Sequence, residues 1–240
     1  GAKKARVASL LVLVLLVIAC TKTIRSTITI NGSMNILGPV PEIWENQFSV
    51  GWYTQGSPAP GQLSIVELSG IPALKVVNAP AGLITVKPVQ ASLLATPYLS
   101  WAWNMESQDN GQHPVSLFVG LQHNNQQTRN LAPSFIRSGE ALPYHDRMLS
   151  LTWGDSALQR GTITTINSSK NRKKIAGFTV RGGQENSGSW WFETVDLYDI
   201  YRRAWPNDNI EKTQLTFIGI GTAPGNTPIA GYISGLRLSR

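Results

Sequence analysis

Cysteine is almost absent. The 240-residue chain has one, Cys20, which excludes an internal disulfide and any cysteine-built metal centre. Histidine is scarce too. His113, His123 and His145 never fall at the i, i+4 spacing that sets two imidazoles on one helix face, so no metal and no cofactor is expected. They read as solvated loop residues. No Gly-x-Ser-x-Gly stretch occurs, which removes the strained nucleophile elbow of the α/β hydrolases. Gly182-Gly183 and the Gly219-x-Gly221 pair lack a strand–loop–helix frame and read as turns or bulges, not a phosphate cradle.

Acidic residues give little more. Glu185, Glu193, Asp196 and Asp199 lie close in sequence, and Glu193 sits in an aromatic stretch. A carboxylate there needs a cation, and Arg202 or Arg203 is the expected partner, which gives a structural ion pair. With no catalytic constellation, the chain is expected not to be an enzyme.

Charge is sparse as well, at 15% of residues, with a formal net charge of +7. Three of those positive charges (Lys3, Lys4, Arg6) precede the first apolar run. The main local cluster, Lys170, Arg172, Lys173 and Lys174, lies in a polar Asn-Ser-rich stretch that reads as a solvated hairpin tip. It has neither a helix nor interleaved aromatics, so no nucleic-acid partner is expected.

What the chain does have is an apolar N-terminal run. Residues 7–19 carry no charge, follow a basic segment and end at Cys20. That order is a secretory signal or an uncleaved anchor. Val17-Ile18-Ala19-Cys20 resembles a bacterial lipobox, which makes Cys20 a candidate for lipidation. As an anchor, Val7, Leu10, Leu11, Leu13, Leu15, Leu16 and Ile18 would meet lipid. The uncharged stretch between Arg6 and Lys22 spans roughly 22 Å at about 1.5 Å per residue, short of the roughly 30 Å hydrocarbon core, so its flanks would have to snorkel. Either way the basic end stays cytoplasmic. The rest is then expected in the periplasm, on the bacterial inner membrane or lipid-anchored in the envelope.

Residues 22–60 read as a tether and docking segment. Pro39, Pro41, Pro58 and Pro60 break it, and Trp44, Phe48 and Trp52 dock it. From residue 61 short apolar runs recur, near 62–68, 72–78, 82–87, 97–103, 115–121, 147–153, 161–166, 175–181, 189–195, 214–220 and 230–238. Leu99, Trp101 and Trp103 share one face by period-two alternation. So do Leu149, Leu151 and Trp153, and, across a break at Gly235, Tyr232, Leu236 and Leu238. Strands of this kind, punctuated by 22 Gly and 14 Pro, predict an all-β antiparallel sandwich or jelly roll over 61–240. One short helix is predicted after Asp196. That residue caps it, and Leu197, Ile200, Tyr201 and Ala204 form its apolar face until Pro206.

Several of these stretches resemble a bacterial family of exported domains of unknown function with a galactose-binding-like jelly roll, distantly similar to the complex I intermediate-associated domain. They are Pro97-Tyr98-Leu99-Ser100-Trp101-Ala102-Trp103, Leu149-Ser150-Leu151-Thr152-Trp153, Ser189-Trp190-Trp191-Phe192-Glu193 with Asp199-Ile200-Tyr201-Arg202-Arg203, and the two closing strands. The resemblance covers about 61–240 and implies the fold and export, but no activity. Where that family carries an acidic Asp-Thr-Asp-Asn-Thr-Gly turn, this chain has Gly221 to Pro228 without an acid.

Eight tryptophans remain to be placed. Trp190 and Trp191 are adjacent on a strand, so they point to opposite faces, and one of them should be exposed or covered by the helix. Together with the amide-rich stretch His123, Asn124, Asn125, they are the candidate ligand or partner contacts. The expected function is a membrane-tethered, non-catalytic accessory subunit lying against other membrane-protein subunits. The second expectation is a glycan-binding envelope lipoprotein.

Overall fold

The computed structural model describes residues 32–38, 51–123, 142–167 and 174–240. The apolar run 7–19 with Cys20, Trp44, Phe48, Asn124, Asn125 and Lys170 to Lys173 lie outside them. Among the described residues no helix is long and apolar enough to cross a membrane.

Among the described residues thirteen strands and one α-helix build a two-sheet sandwich. The strands are β1 (Ser33–Asn35), β2 (Tyr53–Gln55), β3 (Leu63–Leu68), β4 (Ile71–Val77), β5 (Leu83–Ser92), β6 (Tyr98–Met105), β7 (Val115–Gln122), β8 (Arg147–Gly154), β9 (Ile163–Asn167), β10 (Lys174–Gly182), β11 (Trp191–Asp196), β12 (Gln214–Thr222) and β13 (Ala230–Ser239). The helix, α1, is Leu197–Ala204. One sheet runs β11-β6-β13-β4-β3, with β1 paired to β13. The other has seven strands, β2-β5-β12-β7-β8-β10-β9. The stretch read as a tether thus supplies a strand to each sheet, and Met34, Ile36 and Leu37 enter the core.

Alternation sets the core as expected on β6 and β8. Trp101, Trp103 and Trp153 are buried between the sheets in an edge-to-face chain, with centroids 5.2 and 5.6 Å apart. On β13 the expectation fails by one residue. Ile233, Leu236 and Leu238 face the core. Tyr232 faces away and donates its hydroxyl to Glu106 at 3.1 Å. The pairing shifts between Ser234 and Arg237, around Gly235 at φ 63°, so the face changes one residue earlier than a plain break predicts.

Two further departures have physical causes. β5 runs on through Pro88, where the sequence suggested a stop. β2 pairs only with Ile84 to Val86, so Pro88 lies where β5 is an edge, and the pairing with β12 also shifts there. The β8–β10 pair is parallel, because β10 inserts between β8 and its own hairpin partner β9. All other strand pairs among the described residues are antiparallel.

Helix α1 starts as predicted, with the Asp196 carboxylate accepting from the Asp199 N–H at 3.1 Å. It buries Leu197, Ile200, Tyr201 and Ala204. It lies against β9 and β6, closing one side of the sandwich.

Candidate functional site

The two adjacent tryptophans do point to opposite faces. Trp191 faces inward, with the Arg181 guanidinium 3.8 Å from its ring centroid and its own N–H donated to the Asn186 carbonyl. Trp190 faces outward, half-buried, and donates to the Leu68 carbonyl at the β3–β4 hairpin. Both indole N–H groups are therefore taken by main chain. The exposed ring on this strand is the next residue, Phe192, at 77%.

Glu193 is buried on the core side of β11. Arg181 on β10 donates to it at 2.5 Å, Trp103 Nε1 donates at 3.3 Å, and Arg160 stands 3.9 Å away. The expected partners Arg202 and Arg203 instead pair with Asp199 on their own helix. The inward face of β11 is turned toward β10 of the other sheet, so the pair ties the two sheets together. Arg202 and Arg203 sit on the outer side of α1, where solvent already serves them.

His123 lies at the opposite end of the strands. Its N–H donates to Asp146 at 2.9 Å, and its Nε2 is 4.0 Å from Asp208. Asp208 is the centre of a buried polar knot. Arg147 donates to both of its oxygens at 2.8 and 3.0 Å, and the Tyr201 hydroxyl donates at 2.8 Å. Burial pushes the Asp208 carboxyl up, but the bonds from Arg147 and Tyr201 outweigh it and hold the group below its ordinary value. Burial, joined by the bond to Asp208, pushes the Tyr201 phenol well above its ordinary range. The knot fastens α1 and the stretch after it to the mouth of β7 and β8. It is structural in geometry, since Arg147 and Tyr201 already have their acceptors.

These two sites do not form one. Arg181 pairs in register with Trp153, and Arg147 lies six residues earlier on β8. At about 3.3 Å per residue, roughly 20 Å of strand separates the Trp191 stack from His123.

The histidines are not solvated. His113 and His145 are buried. His113 Nδ1 accepts from the Val115 N–H at 3.1 Å, and burial lowers its pKa to about 4. His145 stands edge-on to Phe217, with centroids 5.0 Å apart. Among the described residues no group of His, Cys, Asp and Glu could hold a metal ion.

The arrangement with chemical promise was missed by sequence reasoning. A half-buried antiparallel sheet ordinarily turns polar residues outward. The outward face of the seven-stranded sheet mixes polar and apolar residues, and at Val86 and Phe217 it is fully buried. Register aligns Tyr53, Val86, Gly219, Phe118, Ser150, Gly177 and Thr164 in one row across all seven strands. Six gaps of about 4.8 Å make this row roughly 29 Å long. A neighbouring row holds Pro88, Phe217, Gly120, Met148 and Ile175.

Glycines shape this floor. A Cβ at Gly221 would come within 2.9 Å of the Phe118 ring, one at Gly219 would meet Val86, and one at Gly120 would collide with the Phe217 ring. The rings therefore lie down on glycine backbone instead of standing up from the sheet. At Gly177 only the Thr164 carbonyl comes within 4 Å of a built Cβ, at 3.9 Å, which leaves an open notch between Ser150 and Thr164. The available signal was the glycine pairing in Ile218-Gly219-Ile220-Gly221 and Val119-Gly120-Leu121, which alternation alone reads as turns or weak strand.

No protein family model matches the chain, and no curated protein sequence matches it. The resemblance to the exported-domain family thus has no sequence match behind it. Solved structures do share the sandwich. The xyloglucanase domain of NopAA, a type three effector from Sinorhizobium fredii, is 10% identical, with a TM-score of 0.44 over 89% of this chain and 99% of that one. A family 12 xyloglucanase from Bacillus licheniformis is 9% identical, with a TM-score of 0.41 over 89% and 96%. A family 30 carbohydrate-binding module is 9% identical, with a TM-score of 0.40 over 78% and 80%.

Two expectations are corrected at this point. The chain was read as a non-catalytic accessory subunit of a membrane complex, and as no enzyme. The solved structures named above are two xyloglucanases and a carbohydrate-binding module, not membrane accessory subunits, and neither expectation is carried further. The likeness is one of architecture, and function has to follow from this chain's own side chains.

Proposed function

We propose that this chain binds an oligosaccharide along the outward face of its seven-stranded sheet. The observation that supports it is the row Tyr53 to Thr164, in which two half-buried rings, an open glycine notch and hydroxyls stand in one line, with the fully buried Val86 between the rings. A sugar ring offers C–H faces and a rim of hydroxyls. An apolar floor with a few placed polar groups meets both needs. Phe118 and Tyr53 are three strands apart, about 14 Å, so one monosaccharide does not reach both. The ligand in this reading is a linear chain of several sugars lying across the strands. Ser150 and Thr164 flank the notch at Gly177 and take the hydroxyls of one residue of that chain. Residues 7–19 in turn hold the module at the outer side of a bacterial inner membrane, where envelope glycans are within reach.

The test is isothermal titration of the full chain with a panel of soluble glycan oligomers of increasing length, β-glucans included. Affinity should rise with length up to the span of the row. Phe118→Ala should weaken binding at least about tenfold, with an unchanged unfolding midpoint. The same incubations are read for released reducing ends, so that turnover is seen as well as binding. Retained affinity in Phe118→Ala, or no binding across the panel, would sink the reading.

A further inference from the structure

Away from that face, one turn carries an apolar side chain that none of the described residues covers. Leu158 is 94% exposed, in the one-turn 3-10 helix Ala157–Gln159 between β8 and β9. A single exposed leucine is ordinary. This one is held out by a built turn. The Ser156 hydroxyl accepts from the Leu158 N–H at 3.2 Å, and the Gln159 side chain reaches back to the Ser156 N–H. The turn is then fastened to the sheet by Gly161 N–H to the Thr179 carbonyl at 2.7 Å. The capping box fixes the backbone from which Leu158 projects.

The surroundings are basic. Arg160 follows two residues later, with its side chain 61% exposed. Arg203 donates to the Gly161 carbonyl at 2.7 Å, which places the last turn of α1 beside the leucine turn, and Arg202 is next to it. Their side chains are 44% and 65% exposed. Most of the acids close by are held by other groups. Glu193 is buried on Arg181 and stands 3.9 Å from Arg160, Asp196 caps α1, and Asp155 accepts from Gly111. Asp199 alone offsets Arg202 and Arg203. An apolar tip among three arginines complements a surface with anionic heads over hydrocarbon.

We infer that the Leu158 turn docks on an anionic lipid bilayer, with Leu158 entering the acyl boundary and Arg160, Arg202 and Arg203 on headgroup phosphates. Each arginine close to an anionic surface is worth roughly fivefold in affinity. The inference does not rest on the glycan reading, since the two faces share no residue.

The apolar run 7–19 would itself bind vesicles, so the readout has to be local. The full chain carrying Cys20→Ser and Leu158→Cys is spin-labelled at 158. It is mixed with phosphatidylcholine vesicles, or with vesicles holding roughly one-third phosphatidylglycerol. A Thr165→Cys label serves as the exposed control. On anionic vesicles the 158 label should become more accessible to oxygen than to a water-soluble nickel complex, while the control stays aqueous. Arg202→Gln with Arg203→Gln should lower the immersed fraction at least tenfold, with the circular dichroism spectrum unchanged. Three outcomes overturn the inference: an aqueous 158 label on anionic vesicles, equal immersion on neutral ones, or shielding seen only in native membranes that carry protein.

Discussion

Arg147 holds Asp208 by two hydrogen bonds, 2.8 and 3.0 Å long, and both side chains are almost fully enclosed. The pair joins the start of β8 to the stretch after α1, and Tyr201 adds a third bond to the same carboxylate. Removing one partner leaves the other charge buried and alone. Asp208→Asn is expected to cost about 3–5 kcal/mol. Arg147→Met combined with Asp208→Leu is expected to cost less than either single change. Urea unfolding of the three variants checks the ordering.

Gly120 and Gly177 lie on the same outward face and should respond oppositely to alanine. At Gly120 the new methyl meets the Phe217 ring, which is itself buried against His145. Gly120→Ala is expected to destabilise by about 1–3 kcal/mol, and Phe217→Leu in the same chain should recover part of it. At Gly177 the methyl meets open space, so Gly177→Ala should be neutral or stabilising by up to about 1 kcal/mol. Thermal melts distinguish the two. Gly177→Trp should keep the fold and block the sugar row.

Stability should fall on mild acidification, and His113 sets the window. In the unfolded chain it takes up a proton near 6.5, whereas in the fold burial holds that event down to about 4. The unfolded state therefore binds more protons between these values. The contribution is complete above about 6.5 and is lost as pH falls toward 4, on the order of 3 kcal/mol in all. Asp208, also lowered, acts in the same direction further into acid. Denaturant titrations at several pH values should show this slope, and His113→Gln should flatten the part between 4 and 6.5.

The Glu193–Arg181 pair predicts a local effect. Glu193→Gln keeps shape and removes the charge, leaving the half-buried Arg181 to the Trp191 ring alone. Unfolding should be easier by about 1–3 kcal/mol. Hydrogen exchange should rise first along β11, an edge strand that pairs only with β6. Uniform change across both sheets would show that the pair does not act as the local tie described.

Much of this architecture is written in local pattern. Alternation placed Trp101, Trp103 and Trp153 in the core, and Asp196 at the head of α1, because period and capping depend only on near neighbours. Register is not local. The Gly235 bulge moved Tyr232 outward, and the insertion of β10 beside β8 made one parallel pair. The strand order also brought Arg181, not Arg202 or Arg203, to Glu193. The candidate sugar row belongs to the same class. Tyr53, Phe118, Ser150 and Gly177 come from four distant strands, and each alone is an ordinary strand residue. By itself the sequence determined where the strands from residue 61 on, the helix and the core tryptophans fall, while the strands at 33–35 and 53–55 were read as tether. Only the tertiary structure decided which strands meet and which residues share an outward row, because strand pairing is settled by contacts between segments that no period in the chain connects.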